Sequence, residues 1–366
     1  MSKKVFLGMS GGVDSSLSAV LLKEQGYEVI GVYMKNWSQD LPGMRCPWAD
    51  DLADAKRVAV QLGIDFRVFD FESEYKQKVV DYMLAEFKAG RTPNPDIMCN
   101  QEIKFKLFYD VAREQGADLI ATGHYAQIGS MNSSFSEHED LARAARSVSE
   151  EESIHAPNAL MRATDENKDQ TYFLYRISQD AIDHTIFPIG HLLKPEVKKL
   201  AAEHNLANAY KKESMGVCFV GEVGMKDFLR EYIDVTPGPI LDADTGQRLG
   251  THEGAVFYTV GQRHGLNVPS DLPYYLVRKD IKNNTLYVSK NLNHKDLWTK
   301  ELELEDMILR GQAKDIQVRL RHRAPLIPAT LQGSKLIFTQ EIKRPAPGQS
   351  AVFYHDRICL GGAIIK

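Results

Sequence analysis

One phrase, met three times in the first 122 residues, narrows the folds open to this chain more than any other feature: an amphipathic stretch ending in glycine, followed at once by a short β-rich run. It reads Lys23-Glu24-Gln25-Gly26 before Glu28-Val29-Ile30-Gly31-Val32, Gln61-Leu62-Gly63 before Phe66-Arg67-Val68-Phe69, and Glu114-Gln115-Gly116 before Leu119-Ile120-Ala121-Thr122. Glycine reaches the left-handed conformation that closes a helix at the least steric cost, so each phrase predicts helix, cap, strand. Helices alternating with short buried strands imply a parallel sheet covered on both faces, with ligands at the carboxyl ends of the strands. The expected fold class is α/β, a doubly wound parallel sheet in the N-terminal domain.

At 366 residues the chain exceeds what one core organises, so further domains are expected. After about Ser214 the texture changes. Turn signals (Pro237-Gly238-Pro239, Asp244-Thr245-Gly246, Asn283-Asn284, Pro347-Gly348) separate β-branched runs such as Thr285-Leu286-Tyr287-Val288 and Ala351-Val352-Phe353-Tyr354. This predicts an α/β domain over 1–216, a small, mostly β central domain over 217–285, and a C-terminal β-barrel over 286–366. Within the first domain, about 129–158 is rich in Ser, Glu and Ala and reads as a mobile surface insertion.

That insertion holds six acids against two arginines and so accounts for the whole formal charge of −4. The remainder is neutral, which leaves Lys211-Lys212 and Arg319, Arg321 and Arg323 able to form a local phosphate-binding face, or simply a solvated surface. With 43% hydrophobic and 26% charged residues, and no long apolar run after Met1-Ser2-Lys3-Lys4, the expectation is a folded, soluble protein without a membrane partner. Four cysteines (Cys46, Cys99, Cys218, Cys359), none in a CxxC pair, argue against a disulfide scaffold or a zinc site and for the reducing cytoplasm.

The sharpest motif is Ser10-Gly11-Gly12-Val13-Asp14-Ser15-Ser16, set between the first strand and the first helix. Glycines without side chains let backbone N–H groups close around phosphate oxygens while the helix points its positive end at them. The loop lacks the Gly-Lys-Ser/Thr ending of the Walker type and the GxGxxG dinucleotide spacing. A second unusual string is Arg91-Thr92-Pro93-Asn94-Pro95-Asp96-Ile97-Met98-Cys99-Asn100, in which two prolines set an irregular loop and Cys99 falls near the start of a helix carrying Lys104 and Lys106. A helix N-terminus and nearby cations favour thiolate. Asp96, three residues earlier, is either an acid/base or a helix cap. A third string, Glu213-Ser214-Met215-Gly216-Val217-Cys218-Phe219, puts a cysteine between apolar residues.

The loop resembles the signature of the PP-loop ATP pyrophosphatases, which cleave ATP to AMP and pyrophosphate while adenylating a substrate oxygen. The resemblance implies an ATP site built from Gly8, Met9, Ser10, Gly11, Gly12, Val13, Asp14 and Ser15, with Met34 by the adenine and Asp14 facing a Mg²⁺-bound pyrophosphate. Together with Thr92 to Asp96, Cys99-Asn100, Ala121-Thr122-Gly123-His124-Tyr125, Asn167 to Leu174, Glu213 to Phe219, Gly261-Gln262-Arg263 and Pro347-Gly348-Gln349, the chain resembles, nearly end to end, the bacterial tRNA-specific 2-thiouridylases. It departs from them in the acidic insertion, at His264, and in shortened segments near 266–273 and 305–318.

The implied activity is ATP-dependent adenylation of the wobble uridine carbonyl oxygen, then sulfur transfer from a persulfide on Cys218, with Cys99 as the nucleophile toward it and Asp96 as acid/base. The resemblance further implies Gly123 at the nucleotide, and Asn94, Pro95, Asp96, Lys168, Asp169, Gln170, Arg321 and His322 at the tRNA. It also implies Lys, Glu and Gln acceptor tRNAs and a sulfur donor protein, such as a cysteine desulfurase or relay carrier; the expected state is a monomer. A uracil oxygen leaves poorly until adenylated, and a flipped, unpaired base is what such chemistry requires. No metal ligand set is expected beyond nucleotide-borne Mg²⁺. Two rival readings are a PP-loop amidotransferase or ligase adenylating a carboxylate, which needs no pair of cysteines, and a non-enzymatic sulfur carrier.

Overall fold

Val5, Phe6 and Leu7 are all fully buried, as a continuous apolar strand covered on both faces requires. A computed structural model describes residues 2–40, 46–130, 157–212, 224–311 and 315–366. Strands β1 (Lys4–Gly8), β2 (Glu28–Lys35), β3 (Asp65–Asp70) and β4 (Leu119–Thr122) belong to one sheet; β5 (Ala126–Ser130) and β6 (Asn158–Arg162) form an antiparallel hairpin beside it. With the short β7 (Thr185–Ile186) the sheet has five parallel strands in the order β3-β2-β1-β4-β7.

The three glycine phrases are the structural joints of this sheet. Helix α1 (Val13–Glu24) closes at Gln25-Gly26 before β2, and α2 (Trp48–Leu62) closes at Gly63 before β3. The helical stretch 95–114 ends before Gly116 and β4. The chain winds outward from β1 to β2 and β3, then returns to β4 on the opposite side. That reversal beside β1 is the topological switch point at which such sheets bind ligands. Residues 131–156 of the expected insertion lie outside the described residues; the flanking strands pair through Ser130 and Asn158.

Downstream, β8 (Gly238–Asp242), β9 (Arg248–His252), β10 (Tyr275–Asp280) and β11 (Thr285–Ser289) form a four-stranded sheet in the order β10-β11-β8-β9. The expected division at 285/286 falls at the start of β11, which pairs with both β10 and β8. The remaining strands are β12 (Trp298–Leu309), β13 (Asp315–Arg319), β14 (Ile327–Gln332), β15 (Lys335–Lys343), β16 (Ser350–His355) and β17 (Ile358–Ile365). They run β12-β15-β14-β13-β16-β17, and β17 pairs back to β12, closing a six-stranded barrel. Alternate residues such as Leu302 and Leu304, or Ile316 and Val318, point into its core. No helix among the described residues is long and apolar enough to cross a membrane.

Candidate active site

The loop from β1 into α1 is a backbone cradle held from behind. Ser15 and Ser16 donate their hydroxyls to the Gly12 carbonyl at 3.1 and 3.0 Å, and the Ser10 N–H donates to Ser15 Oγ at 3.3 Å. Gly11 has φ +74°, and a side chain there would overlap the Asp51 backbone. Behind it, the buried Asn208 donates to both the Gly11 carbonyl and Ser16 Oγ at 2.9 Å. Met34 fits under the loop: a Cβ on Gly8 would lie 2.8 Å from its Cε. Hydroxyls spent on the loop's own carbonyl shape it, while the helix N-terminus and the absence of side chains at Gly11 and Gly12 leave backbone N–H groups suited to phosphate oxygens.

Asp14, second residue of α1, is the charged centre of the cradle. Its Oδ1 accepts hydrogen bonds from Lys194 Nζ at 2.6 Å and the Tyr125 hydroxyl at 3.0 Å. The Lys194 side chain is 8% exposed and lies over the Tyr125 ring, 5.5 Å from its centroid. Neither Tyr125 nor Lys194 was assigned a role from sequence. Pro195 marks a helix start there, but the reach of the preceding lysine across to residue 14 is a tertiary fact.

A second cluster lies on the helical stretch 95–114. Asn94 is its cap, with Oδ1 accepting from the Asp96 and Ile97 N–H groups at 3.1 and 3.4 Å; the capping alternative for Asp96 is thereby removed. Burial raises the Asp96 carboxyl above its usual range, against the opposing pull of Lys104. Cys99 is 3% exposed, in the first turns of the same stretch, and Asn100 donates to the Phe173 carbonyl at 3.0 Å. Lys106, the second expected cation, points instead to Glu102.

The two clusters meet through Thr122-Gly123-His124-Tyr125, the exit of β4. Gly123 lies so close to α1 that a Cβ would come 2.7 Å from the Ser15 nitrogen. His124 accepts or donates at 2.8 Å with Thr122 Oγ1 and packs its ring 5.8 Å from that of Phe105, on the helix bearing Cys99. Burial, reinforced by Lys104, holds this imidazole far below its ordinary pKa and so neutral. Tyr125 reaches Asp14 by its side chain and Gln170 by its backbone: the Tyr125 N–H donates to Gln170 Oε1 at 2.8 Å and the Gln170 N–H to the Tyr125 carbonyl at 2.9 Å.

Residues expected at an RNA divide into two kinds. Lys168 and Gln170 are half-buried on the turn before Thr171, and Arg321 is exposed. Asp169 is turned inward: its carboxylate is fully buried and accepts from the Thr171 hydroxyl at 2.9 Å and from Arg319 Nη1 at 2.9 Å. His322 rests on Phe173, ring centroids 4.5 Å apart, which brings the turn after β13 against the neighbour of Asn100. The loop at Thr92 is tied to the barrel by its N–H to the Pro347 carbonyl at 2.7 Å and by Gln349 Nε2 to its carbonyl at 2.7 Å. Among the described residues no group of three or more His, Cys, Asp or Glu is placed to hold a metal. Cys218 lies outside the described residues; Cys46 and Cys359 are buried.

Comparison with known proteins gives three consecutive family matches: a tRNA methyl transferase HUP domain over 3–222, a tRNA methyl transferase PRC-barrel domain over 226–290, and an aminomethyltransferase β-barrel domain over 294–365. Relatives named tRNA-specific 2-thiouridylase MnmA match nearly end to end. The protein from Idiomarina loihiensis is 45% identical, over 100% of this chain and 96% of its own. Those from Proteus mirabilis and Lactococcus lactis subsp. cremoris are 43% and 42% identical, covering 100% and 99% of this chain and 97% and 94% of their own.

Proposed function

This chain belongs to the tRNA-specific 2-thiouridylase family, and from that premise we propose how its residues divide the work of exchanging oxygen for sulfur at position two of a tRNA uridine. The uracil oxygen attacks the α-phosphorus of ATP, pyrophosphate departs with the electrons of the broken P–O bond, and sulfur then displaces AMP at the same carbon. Gly8 to Ser15 and Gly123 cradle the nucleotide, Met34 lies along its adenine, and Asp14 meets the Mg²⁺ carried on its phosphates.

Asp96, whose carboxyl is moved above its usual range by burial, exchanges a proton with the base; Asn94, Pro95, Lys168, Gln170, Arg321 and His322 face the tRNA. Asp169 holds their turn from inside. The Cys99 thiolate attacks the inner sulfur of a persulfide on Cys218, releasing hydrosulfide and leaving a Cys99–Cys218 disulfide that an external thiol reopens. The persulfide comes from a donor protein of the desulfurase or relay-carrier class. The acceptors are the wobble uridines of Lys, Glu and Gln tRNAs, and the enzyme works as a cytoplasmic monomer.

The observation that supports this reading is the Thr122–Tyr125 bridge, which packs the phosphate cradle on one side and, through His124 and Phe105, the helical stretch that carries Asp96 and Cys99 on the other. The test incubates the protein with tRNA, Mg-ATP and a persulfide donor, then digests the RNA and weighs its nucleosides. Wild type should yield 2-thiouridine with AMP, and Cys99→Ser and Cys218→Ser should yield none. AMP formed on a carboxylate substrate, with no thiolated uridine, would replace this reading by the ligase one.

A further inference from the structure

Lys194 stands out among the buried charges because its ammonium is aimed at Asp14, the carboxylate in the first turn of the phosphate loop's helix. Its backbone is fixed from the opposite side, where the Lys194 N–H donates to Asp165 Oδ2 at 2.9 Å. Its stem crosses the face of Tyr125, and the same Asp14 oxygen takes both the ammonium and the phenol. The side chain is 8% exposed against 32% for Asp14, so the cation is the buried member of the pair and the carboxylate the one open to solvent. A lysine held by packing, by a backbone anchor and by a ring face keeps its stem in place when its partner turns away, and only its ammonium end re-aims.

We propose that Lys194 is a catalytic residue that binds the β- and γ-phosphates of ATP and stabilises pyrophosphate as it leaves, with Asp14 serving as its stand-in anion until nucleotide arrives. This deepens the functional reading above and rests on it. When Mg-ATP enters, Asp14 rotates its carboxylate to the Mg²⁺ and releases the ammonium, which turns to the nearest phosphate oxygen. As the uracil oxygen bonds to the α-phosphorus, the α–β bridging bond breaks and its electron pair remains on pyrophosphate, whose added negative charge Lys194 meets with a charge-assisted hydrogen bond. No proton need change hands, and the exchange keeps charge paired at each stage, which a buried cation requires.

The measurement is pyrophosphate binding by calorimetry, without tRNA, in EDTA and again with Mg²⁺, for wild type, Lys194→Met, Asp14→Asn and the double variant. The double variant removes both charges and so avoids a buried unpaired carboxylate; thermal melting checks that each is folded. In EDTA, Asp14→Asn should bind pyrophosphate at least as tightly as wild type, whereas the double variant should bind roughly tenfold more weakly or worse than Asp14→Asn, the loss expected for one charge-assisted hydrogen bond. Lys194→Arg should keep part of the binding. Equal affinity in Asp14→Asn and the double variant would overturn the assignment and leave the lysine a structural counter-ion. Failure of wild type itself to bind pyrophosphate would instead count against the ATP reading on which the proposal rests.

Discussion

His322 lies against the Phe173 ring, and burial there, helped by the charge of Arg323, pulls its pKa down to about 4. The sequence presents it beside arginines as part of a basic strand; folding makes it a neutral ring, suited to stacking or a single hydrogen bond rather than to phosphate charge. The unfolded chain takes up a proton near the ordinary histidine value of about 6.5 and the folded one resists it until about 4. Stability from this site is therefore full above the ordinary value and falls as pH drops through that window. Melting temperature should drop more for wild type than for His322→Gln between neutral and mildly acid pH; parallel curves would show the ring is not buried as described. Gly123 makes a steric prediction. The atoms a Cβ would meet are all backbone of Asp14 and Ser15, so no side chain can yield to it, and Gly123→Ala should raise the KM for ATP roughly tenfold, corresponding to overpacking strain of about 1–3 kcal/mol. An unchanged KM would mean that α1 can retreat.

At the scale of elements, the helix over 95–114 shows why caps matter to chemistry. Pro95 suits the first turn, and Asn94 ties down the N–H groups of Asp96 and Ile97, so the first turn that carries Asp96 and leads to Cys99 is held at its open end. Asn94→Ala should cost about 1 kcal/mol in a urea titration, and Asn94→Asp should restore it because aspartate caps equally well. If Asn94 also meets RNA, Asn94→Asp will recover stability but not tRNA affinity in filter binding, since it adds negative charge. These elements were legible in the sequence wherever the signal was local: three glycine caps gave away the joints of the sheet, and Gly11-Gly12 the cradle. Asp96 was read as a possible cap because an aspartate near a helix start usually is one, and only the structure shows Asn94 two places earlier doing that job. The Asp14–Tyr125–Lys194 cluster draws on residues 111 and 69 positions apart, and no pattern within a window reaches that far.

At the scale of the whole molecule, the α/β domain and the barrel share buried polar contacts instead of meeting only across apolar surfaces. The Thr92 loop is stitched to Pro347 and Gln349, β6 touches β17 at Met161 and Ile358, and Asp169 reaches Arg319 on β13 inside the protein. Because the Lys168–Gln170 turn, the Cys99 helix and the 320–323 turn all abut these seams, the barrel helps set the geometry of the Cys99 helix and of the turns beside it. Removing one member of a fully buried ion pair leaves the other charge without compensation, a loss of about 3–5 kcal/mol. Asp169→Asn and Arg319→Met should therefore each lower the urea midpoint strongly, and the double variant should lose less than the two combined. Pyrophosphate binding, proposed above for residues of the α/β domain, should persist in each variant below its unfolding transition. Loss of tRNA binding by Asp169→Asn at unchanged stability would show instead that this carboxylate leaves the interior to meet the RNA.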